Sequence, residues 1–418
     1  MSRRRFWKAL VRPREGRQLP PELKPRRVGV LAGQLSNGVR DPAFRRLLQR
    51  IDQAPIHHGN RIELFFDGSA AFDAMLHAIL GAQHEVLLQS YILKDDQIGD
   101  ALAAAMEAAT ARGVTVRLLA DAFGSSRTRL DYWKRLKRAG VKARLINNLM
   151  PTLWYGKAYR DHRKILVVDR SVAFTGGMNL GEEYAGSDQN VVWRDTHVRI
   201  AGAAAWEMAI VFAEGWGWSG GAPFELDPTP ATSAGDGGDV LVLDSRPLRG
   251  HQETASAVAA TIAAARHTAW ITNAYFAPRP FTVEQLAHAA QRGVDVRLLL
   301  PGPTDVPIVR HSGHGYFEAL LLAGIRVFEY QPRVLHAKTL VVDRYASMVG
   351  STNIDFRSFH FNAECNALML DDAVGTRLAQ QFERDLAEAN EITLSAWRRR
   401  PRLHRIGDAL AKRLAFLL

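Results

Sequence analysis

Two stretches of this chain carry the same pattern, His162-Arg-Lys-Ile-Leu-Val-Val-Asp169 and His336-Ala-Lys-Thr-Leu-Val-Val-Asp343. Each has a histidine, a lysine two residues later, and an aspartate that closes the segment. One such match would be weak, because three fixed residues in eight occur by accident in many proteins. Two matches lie 174 residues apart, and small residues and an asparagine follow each. They indicate a duplicated half-site that needs both copies to build one active site.

The residues that follow each motif are candidate ligand supports. Gly177 and Asn179 come after the first motif, and Ser351 and Asn353 take the same places after the second. Small residues let a ligand approach the backbone closely, and a carboxamide donates hydrogen bonds without adding charge. We therefore predict that these four residues support a bound phosphate group.

The repeat extends beyond the motifs. Gly113-Val-Thr-Val-Arg-Leu-Leu119 returns as Gly293-Val-Asp-Val-Arg-Leu-Leu299, and the strand-like segments that end at Tyr91 and Tyr275 also correspond. A period near 180 residues is too long for a solenoid and indicates two homologous domains.

Within each half, short β-branched runs alternate with Ala/Leu-rich helical patterns, which is typical of an α/β fold with a mixed sheet flanked by helices. In the first half the pattern predicts helices over 71–81, 99–112 and 128–139 and strands over 86–92, 114–119 and 141–146. The predicted organisation is a basic N-terminal extension (1–45), a first α/β domain (46–225), a linker (226–238), a second α/β domain (239–396) and a basic amphipathic C-terminal helix (397–418). Residues 12–28, with four prolines, are expected to be extended or disordered.

The basic charge of the chain is concentrated at its ends. Residues 1–27 and 397–418 hold 17 of the 54 basic residues and three of the 43 acidic ones, which leaves 37 basic and 40 acidic residues in the body. A nucleic-acid enzyme more often carries positive charge along a groove of its folded body. Charged tails fit a flat anionic surface such as a membrane, so we expect an anionic phospholipid partner and no nucleic acid.

Membrane association is expected to be peripheral. No run of eighteen uncharged apolar residues occurs, and the basic N-terminus lacks the apolar region of a signal peptide. The single cysteine, Cys365, excludes an internal disulfide and a thiolate metal cluster. A location at the cytoplasmic face of the cell membrane follows as the expectation, and the sequence leaves the oligomeric state undetermined.

The motif suits phosphodiester chemistry. The apolar runs at 165–168 and 339–342 predict buried strands with histidine and lysine at their starts, on one face. A neutral imidazole can attack phosphorus, an ammonium stabilises the non-bridging oxygens, and a second imidazole can protonate the leaving alkoxide. The candidate catalytic residues are the motif positions His162, Lys164, Asp169, His336, Lys338 and Asp343.

Carboxylates have two expected roles. A histidine nucleophile needs a carboxylate on its other ring nitrogen, and each half offers one downstream, Asp195 in the first and Glu364 in the second. Asp169 and Asp343 end their strands, where we expect them to fix the local turn rather than touch the substrate.

The second motif continues as Val349-Gly-Ser-Thr-Asn-Ile-Asp-Phe-Arg-Ser-Phe359 and then Asn362-Ala-Glu364. Both halves resemble the phospholipase D superfamily, whose members pair two His-Lys-Asp motifs in one pseudo-twofold site. This string is similar to the cardiolipin synthase branch, as are Tyr275-Phe-Ala-Pro278 and Gly59-Asn-Arg-Ile-Glu63. The resemblance covers about residues 58–395, without the N-terminal transmembrane helices of the membrane-anchored members.

The resemblance implies two phospholipase D-type domains with one active site at their interface, a covalent phosphatidyl-histidine intermediate, no cofactor and no metal. It makes His162 the nucleophile and His336 the general acid, although the likeness of the halves leaves the reverse assignment open. The implied reaction moves a phosphatidyl group from phosphatidylglycerol to the hydroxyl of a second phospholipid or another alcohol. Two alternatives remain open: a hydrolase, either a phospholipase D or a nuclease, and a non-catalytic membrane scaffold.

Two histidine pairs and the C-terminal segment allow further predictions. His57-His58 and His311-Ser-Gly-His314 lack a third metal ligand at a recognisable spacing, so we interpret them as hydrogen-bonded or exposed, with a substrate contact possible for the second pair. Leu403, Ile406, Leu410, Leu414 and Leu417 form one helical stripe beside a dense set of basic residues. This pattern predicts a helix that lies in the lipid headgroup plane, and docking on the protein body is the alternative.

Overall fold

The computed structural model describes residues 19–147, 159–186, 192–226, 235, 237–245 and 252–413. The first half contributes strands β1 (His57–Phe65), β2 (Glu85–Ser90), β3 (Thr115–Asp121), β4 (Lys142–Ile146), β5 (Arg160–Asp161), β6 (Ile165–Val168), β7 (Val172–Gly176) and β8 (His197–Ala201). The second half contributes β9 (Gly238–Ser245), β10 (Thr268–Asn273), β11 (Asp295–Pro301), β12 (Arg326–Tyr330), β13 (Lys338–Val342), β14 (Ala346–Gly350), β15 (Asn362–Leu370) and β16 (Ala389–Ile392).

The helices lie between these strands in the predicted alternation. They are α1 (Pro25–Gly33), α2 (Pro42–Asp52), α3 (Gly68–Gly81), α4 (Gln97–Ala111), α5 (Leu130–Arg138), α6 (Glu182–Ala185), α7 (Ala203–Trp218), α8 (Glu253–Ala263), α9 (Pro280–Gln291), α10 (Pro307–Leu322), α11 (Phe356–His360), α12 (Asp372–Ala387), α13 (Leu394–Arg399) and α14 (Arg402–Arg413). The three helices and three strands predicted for the first half are α3 to α5 and β2 to β4, with ends shifted by up to three residues.

One mixed sheet runs through both halves. Its order is β16-β12-β11-β10-β13-β14-β15-β9-β1-β8-β7-β6-β2-β3-β4, and β5 pairs with β15 outside this path. Reading outward from the central β9–β1 pair, the two halves repeat the same order: the first strand, the last long strand, a hairpin that carries the motif, and three parallel strands. The predicted α/β class and the two homologous halves are confirmed.

Helices cover both faces of the sheet, so its central strands are buried on both sides, as their continuous apolar runs require. Helix α7 shares one apolar core with strands of both halves and with α12. Helices α3 to α5 cover the first half on another face, and α8 to α10 cover the second. The core that includes α7 and α12 therefore ties the two halves together.

The N-terminal segment differs from the prediction. Residues 12–28 were expected to be extended or disordered, but 21–23 form a 3-10 helix, and α1 begins at Pro25. Proline is compatible with the first helical turn because the amide there has no intrahelical acceptor. Leu23 and Val28 are buried in the core of the second half, and α2 runs across the predicted boundary at residue 45. Most of the predicted linker 226–238 lies outside the described residues.

Two buried ion pairs join the halves. Arg194 donates to both oxygens of Asp385 at 3.0 and 2.7 Å, and Arg163 is paired with Asp244. The side chains of Arg194 and Asp385 are only 4% and 5% exposed. Removal of one partner from a buried pair leaves an uncompensated charge, which is much more costly than the loss of a surface pair.

Replacement of Asp385 by alanine should therefore lower the free energy of unfolding by about 3–5 kcal/mol. The matched control is Glu383→Ala on the same helix, since Glu383 pairs with Arg344 at a surface position. We expect the control to change the stability by about 0.5 kcal/mol or less. Urea unfolding followed by circular dichroism checks both values, and equal midpoints for the two variants would contradict the prediction.

Candidate active site

Backbone hydrogen bonds bring each motif histidine to a segment of the other half. The amide of His162 donates to the carbonyl of Ala363 at 2.9 Å, and the amide of His336 donates to the carbonyl of Arg194 at 2.8 Å. Ala363 and Arg194 each precede one of the candidate carboxylates. The two connections are equivalent under the repeat, so the duplicated sequence builds the same frame twice.

The carboxylates orient the histidines across the halves. The Nδ1 atom of His162 lies 3.0 Å from Glu364 Oε2, and that of His336 lies 2.7 Å from Asp195 Oδ2. The sequence indicated both carboxylates, one in each half. It did not indicate that each acts on the histidine of the other half. With Nδ1 engaged in both rings, Nε2 is the atom left for the substrate.

The carboxylates are themselves fixed by hydrogen bonds. Glu364 accepts from the hydroxyls of Ser351 at 2.6 Å and Ser358 at 2.7 Å, and Asp195 accepts from the amide of Thr196 at 2.7 Å. Both acids are fully buried. By fixing the carboxylates, these hydrogen bonds hold the imidazoles in one orientation.

The lysines lie beside the histidines, as the spacing predicted. Lys164 Nζ donates to the carbonyl of His162 at 2.7 Å, and Lys338 Nζ lies 3.0 and 3.1 Å from the ring nitrogens of His336. Both ammonium groups are buried, at 3% and 1% exposure. Two cations and two imidazoles therefore share one largely dry site.

Burial sets the protonation of this cluster. It lowers the pKa of Lys164 to about 7, aided by Lys338, and that of Lys338 to about 8 against the pull of both carboxylates. Burial and Lys338 lower the pKa of His336 to about 4, and burial also lowers the pKa of His162, although Glu364 opposes it. Without a ligand, both imidazoles are therefore neutral at pH 7.

The carboxylates stay ionised despite their burial. Desolvation alone would raise the pKa of Asp195 and of Glu364. Lys338 and His336 outweigh this effect at Asp195, and His162 and Lys164 do so at Glu364, so that both pKa values fall below the ordinary range. The negative charges of the two carboxylates balance the positive charges of the two ammonium groups. A bound phosphate anion would add a negative charge, which favours the protonated form of an imidazole.

The predicted phosphate supports divide into two kinds. Ser351 holds Glu364, and a side-chain carbon at Gly177 would come within 2.2 Å of Asp195 Oδ1, so both residues serve the orienting carboxylates. Asn179 donates to the Tyr184 hydroxyl at 2.9 Å. The buried Asn353 Oδ1 has no hydrogen-bond partner among the described residues, which leaves it available to a ligand.

Asp169 and Asp343 belong to the motif but not to the site, which corrects their inclusion among the catalytic candidates and agrees with the expected turn role. Asp169 accepts from the amides of residues 83–85 at 2.8 Å, and Asp343 accepts from those of 266–268 at 2.8–2.9 Å. Each begins a tight hairpin turn with positive φ, 48° and 51°, at the strand end opposite the histidine.

Aromatic residues line the site and were missed as site residues. Tyr91 and Tyr275 meet His162 and His336 edge-on, with ring centroids 5.0 and 5.9 Å apart, and Tyr184 and Trp193 also pack on His336. The repeat could have indicated the first two, because Tyr91 and Tyr275 follow equivalent strands in the two halves. Nothing in the spacing pointed to Tyr184 or Trp193.

The two histidine pairs that the sequence singled out lie outside this site. His57 Nε2 is 3.5 Å from Glu207, and His58 Nδ1 is 2.6 Å from Asp239. His311 and His314 both face Asp408 on α14. Hydrogen-bonded or exposed histidines were the expectation for both pairs. His58, His311 and His314 are hydrogen-bonded to carboxylates, whereas Nε2 of the buried His57 has no hydrogen-bond partner among the described residues.

Comparisons with known proteins identify the family. The model of the "Cardiolipin synthase, PLD-like domain" family matches residues 75–209 and 258–386, one match in each half. A cardiolipin synthase of Alkalihalophilus pseudofirmus is 33% identical over 379 residues, which are 89% of this chain and 75% of that protein. Cardiolipin synthase A of Pseudomonas fluorescens is 35% identical over 380 residues, or 90% of this chain and 79% of that protein.

A solved structure shares the fold. Phosphatidylserine synthase of Haemophilus influenzae superposes with a TM-score of 0.67 at 12% identity and covers 90% of this chain and 98% of its own. The resemblance carried by the two motifs is thus confirmed over nearly the whole body. The chain belongs to the cardiolipin synthase family of the phospholipase D superfamily.

Proposed function

We propose that this enzyme transfers a phosphatidyl group from phosphatidylglycerol to the hydroxyl of a second phosphatidylglycerol, releasing glycerol and forming cardiolipin. The observation that carries the proposal is the crossed arrangement of the two histidines. Each imidazole is oriented by a carboxylate of the other half and lies beside a buried lysine. The cardiolipin synthases to which the chain is similar support the choice of lipid.

The proposed chemistry has two steps. In the first, Nε2 of His162 attacks phosphorus, the bond from phosphorus to the glycerol oxygen breaks, and His336 gives that oxygen a proton. In the second, His336 takes the proton of the acceptor hydroxyl, the new oxygen–phosphorus bond forms, and the nitrogen–phosphorus bond breaks. His162 is made the nucleophile on family resemblance, and the equivalence of the two half-sites admits the reverse.

The lysines are proposed to stabilise the phosphoryl oxygens. Their ammonium groups lie in a buried site, where electrostatic interactions are stronger than in water. Because Lys338 Nζ adjoins the ring of His336, the pair can hold one proton for the leaving oxygen. Loss of either lysine should cost about 2–4 kcal/mol of transition-state stabilisation.

We further propose that α14 places the enzyme on the lipid surface. The helix docks on the body through buried Asp408 and Ala411, and Lys412 donates to the carbonyl of Gly315 at 2.8 Å. Its apolar residues Leu403, Ile406 and Leu410 are 81%, 57% and 56% exposed. Docking and membrane contact, which the sequence posed as alternatives, are therefore compatible.

Charge favours an anionic bilayer as the occupant of this apolar face. Arg398, Arg399 and Arg405 are exposed beside it, and each basic residue near an anionic surface contributes about 1 kcal/mol. Leu414 and Leu417 of the predicted stripe lie outside the described residues. None of the helices described is long and apolar enough to cross a membrane. The proposed association is peripheral, and the cytoplasmic face remains a prediction.

Purified protein with phosphatidylglycerol vesicles should yield cardiolipin and glycerol, measured by mass spectrometry. His162→Ala and His336→Ala should each abolish the product, because attack and proton transfer act in series. His288→Ala is the control, since that histidine is exposed on α9, and it should leave the yield unchanged. In protein quenched rapidly during the reaction, mass spectrometry should find the phosphatidyl group attached to the nucleophilic histidine. Phosphatidic acid as the sole product would make the enzyme a hydrolase and overturn the proposal.

Activity should fall as the pH rises through about 7 to 8. A lysine with a lowered pKa is charged below that pKa and neutral above it, so the buried ammonium groups of Lys164 and Lys338 are lost in this range. This fall should appear in the pH profile of kcat/KM, which reports the free enzyme. The corresponding fall in kcat should lie at higher pH, because the bound phosphodiester anion raises the pKa of both lysines. A flat kcat/KM profile from about pH 6 to about pH 9 would contradict this.

Leu403→Ser, Ile406→Ser and Leu410→Ser combined should weaken binding to phosphatidylglycerol vesicles in sedimentation assays. The matched control replaces three other exposed apolar residues, Val30, Leu80 and Leu130 (59%, 50% and 67% exposed), by serine. Binding of the unaltered protein should also weaken as salt screens the basic residues. Equal binding by the two triple variants would remove α14 from the membrane contact.

A further inference from the structure

A second cluster of metal-binding side chains lies where α14 docks on α10, outside the catalytic site. Asp408 Oδ1 is 2.9 Å from Nδ1 of His311 and 3.5 Å from Nδ1 of His314. One ligand atom of each residue lies within 4.8 Å of the other two. The two histidines alone lacked a third ligand in the sequence, and the C-terminal helix supplies it from 94 residues further on.

Hydrogen bonds join His311 to Asp408 and His314 to Glu329, but none joins Nδ1 of His314 to Asp408. Nε2 of His314 lies 2.9 Å from Glu329 Oε1, while its Nδ1 faces Asp408. A neutral imidazole has one N–H and can donate to only one of these carboxylates. The 3.5 Å separation leaves a position between Nδ1 of His314 and Oδ1 of Asp408 that a cation can occupy.

We propose that this cluster binds one divalent transition metal ion, of the zinc class, through Nδ1 of His311, Nδ1 of His314 and Oδ1 of Asp408. Zinc binds imidazole nitrogen and carboxylate oxygen at about 2.0–2.2 Å, which places tetrahedral ligands about 3.4 Å apart. The two nitrogen–oxygen distances, 2.9 and 3.5 Å, bracket that separation. Imidazole ligands favour zinc over magnesium or calcium.

The surroundings match those of a metal site. The Nε2 atom of His314 faces Glu329, which Arg310 binds at 2.9–3.1 Å, and a carboxylate on the far nitrogen commonly orients a ligating histidine. Arg400 lies 3.4 Å from the other oxygen of Asp408, so Oδ1 remains for the ion. His311 is 45% exposed, which leaves a path for the ion and a fourth position for water.

The proposed ion has a structural role that goes beyond the transfer reaction. It would join α10 to α14 and so hold the C-terminal helix in the docked orientation that exposes Leu403, Ile406 and Leu410. The three ligands are distinct from the histidines and lysines proposed to carry the transfer reaction.

Cobalt titration of the full-length protein, previously dialysed against a chelator, tests the proposal. Co²⁺ should bind at one ion per chain with the visible absorption of a tetrahedral site, and Zn²⁺ should displace it. His311→Ala and Asp408→Asn should each weaken binding at least tenfold. His404→Ala is the control, because it removes an exposed histidine of the same helix and should leave binding unchanged.

Hydrogen exchange of residues 402–413 supplies a second readout that does not depend on activity. Zinc should slow exchange in the unaltered chain and in His404→Ala but not in His311→Ala, whose exposed side chain can be removed without loss of the fold. The metal site would be overturned if the unaltered chain failed to bind Co²⁺. It would also be overturned if His311→Ala and Asp408→Asn bound the ion as tightly, and were protected from exchange as strongly, as the unaltered chain. Either result would leave a hydrogen-bonded cluster.

Discussion

The proposed active site depends on two backbone hydrogen bonds that cross between the halves of the molecule. The amides of His162 and His336 donate to the carbonyls that precede Glu364 and Asp195. These bonds place each imidazole against a carboxylate of the other half, so neither half contains an oriented histidine of its own. Duplication thus produced two incomplete half-sites whose function requires their interface.

Burial gives this interface its chemistry. The same packing that excludes water lowers the pKa of both lysines and both imidazoles. Burial would also raise the pKa of Asp195 and Glu364, but the nearby lysines and histidines offset that effect. Neutral imidazoles can attack phosphorus, and ammonium groups in a dry site stabilise its oxygens. The α7–α12 core and the Arg194–Asp385 pair hold the halves in register, so stability and catalysis draw on the same contacts.

The two proposals for the C-terminal helix concern how the site meets its substrate. A phospholipid enzyme must lie close to the bilayer, and α14 exposes an apolar stripe beside basic residues while its buried face contacts α10. Asp408 is the buried polar residue on that face, and His311 and His314 surround it. A metal ion at this point would fix the orientation of a short helix that periodicity alone leaves undetermined.

The sequence by itself determined the α/β class, the duplication and the His-Lys pairs, because hydrophobic periodicity and a repeated motif are local properties of the chain. It also indicated Asp195 and Glu364 as orienting carboxylates. Tertiary structure alone decided that these two cross between the halves, that Tyr184 and Trp193 pack on His336, and that Asp408 joins His311 and His314. The prolines near the N-terminus suggested an extended or disordered segment, yet Leu19, Leu23 and Val28 pack on the second half. Such contacts join residues far apart in the chain, and only the packing of the folded molecule selects among the many pairings that one sequence allows.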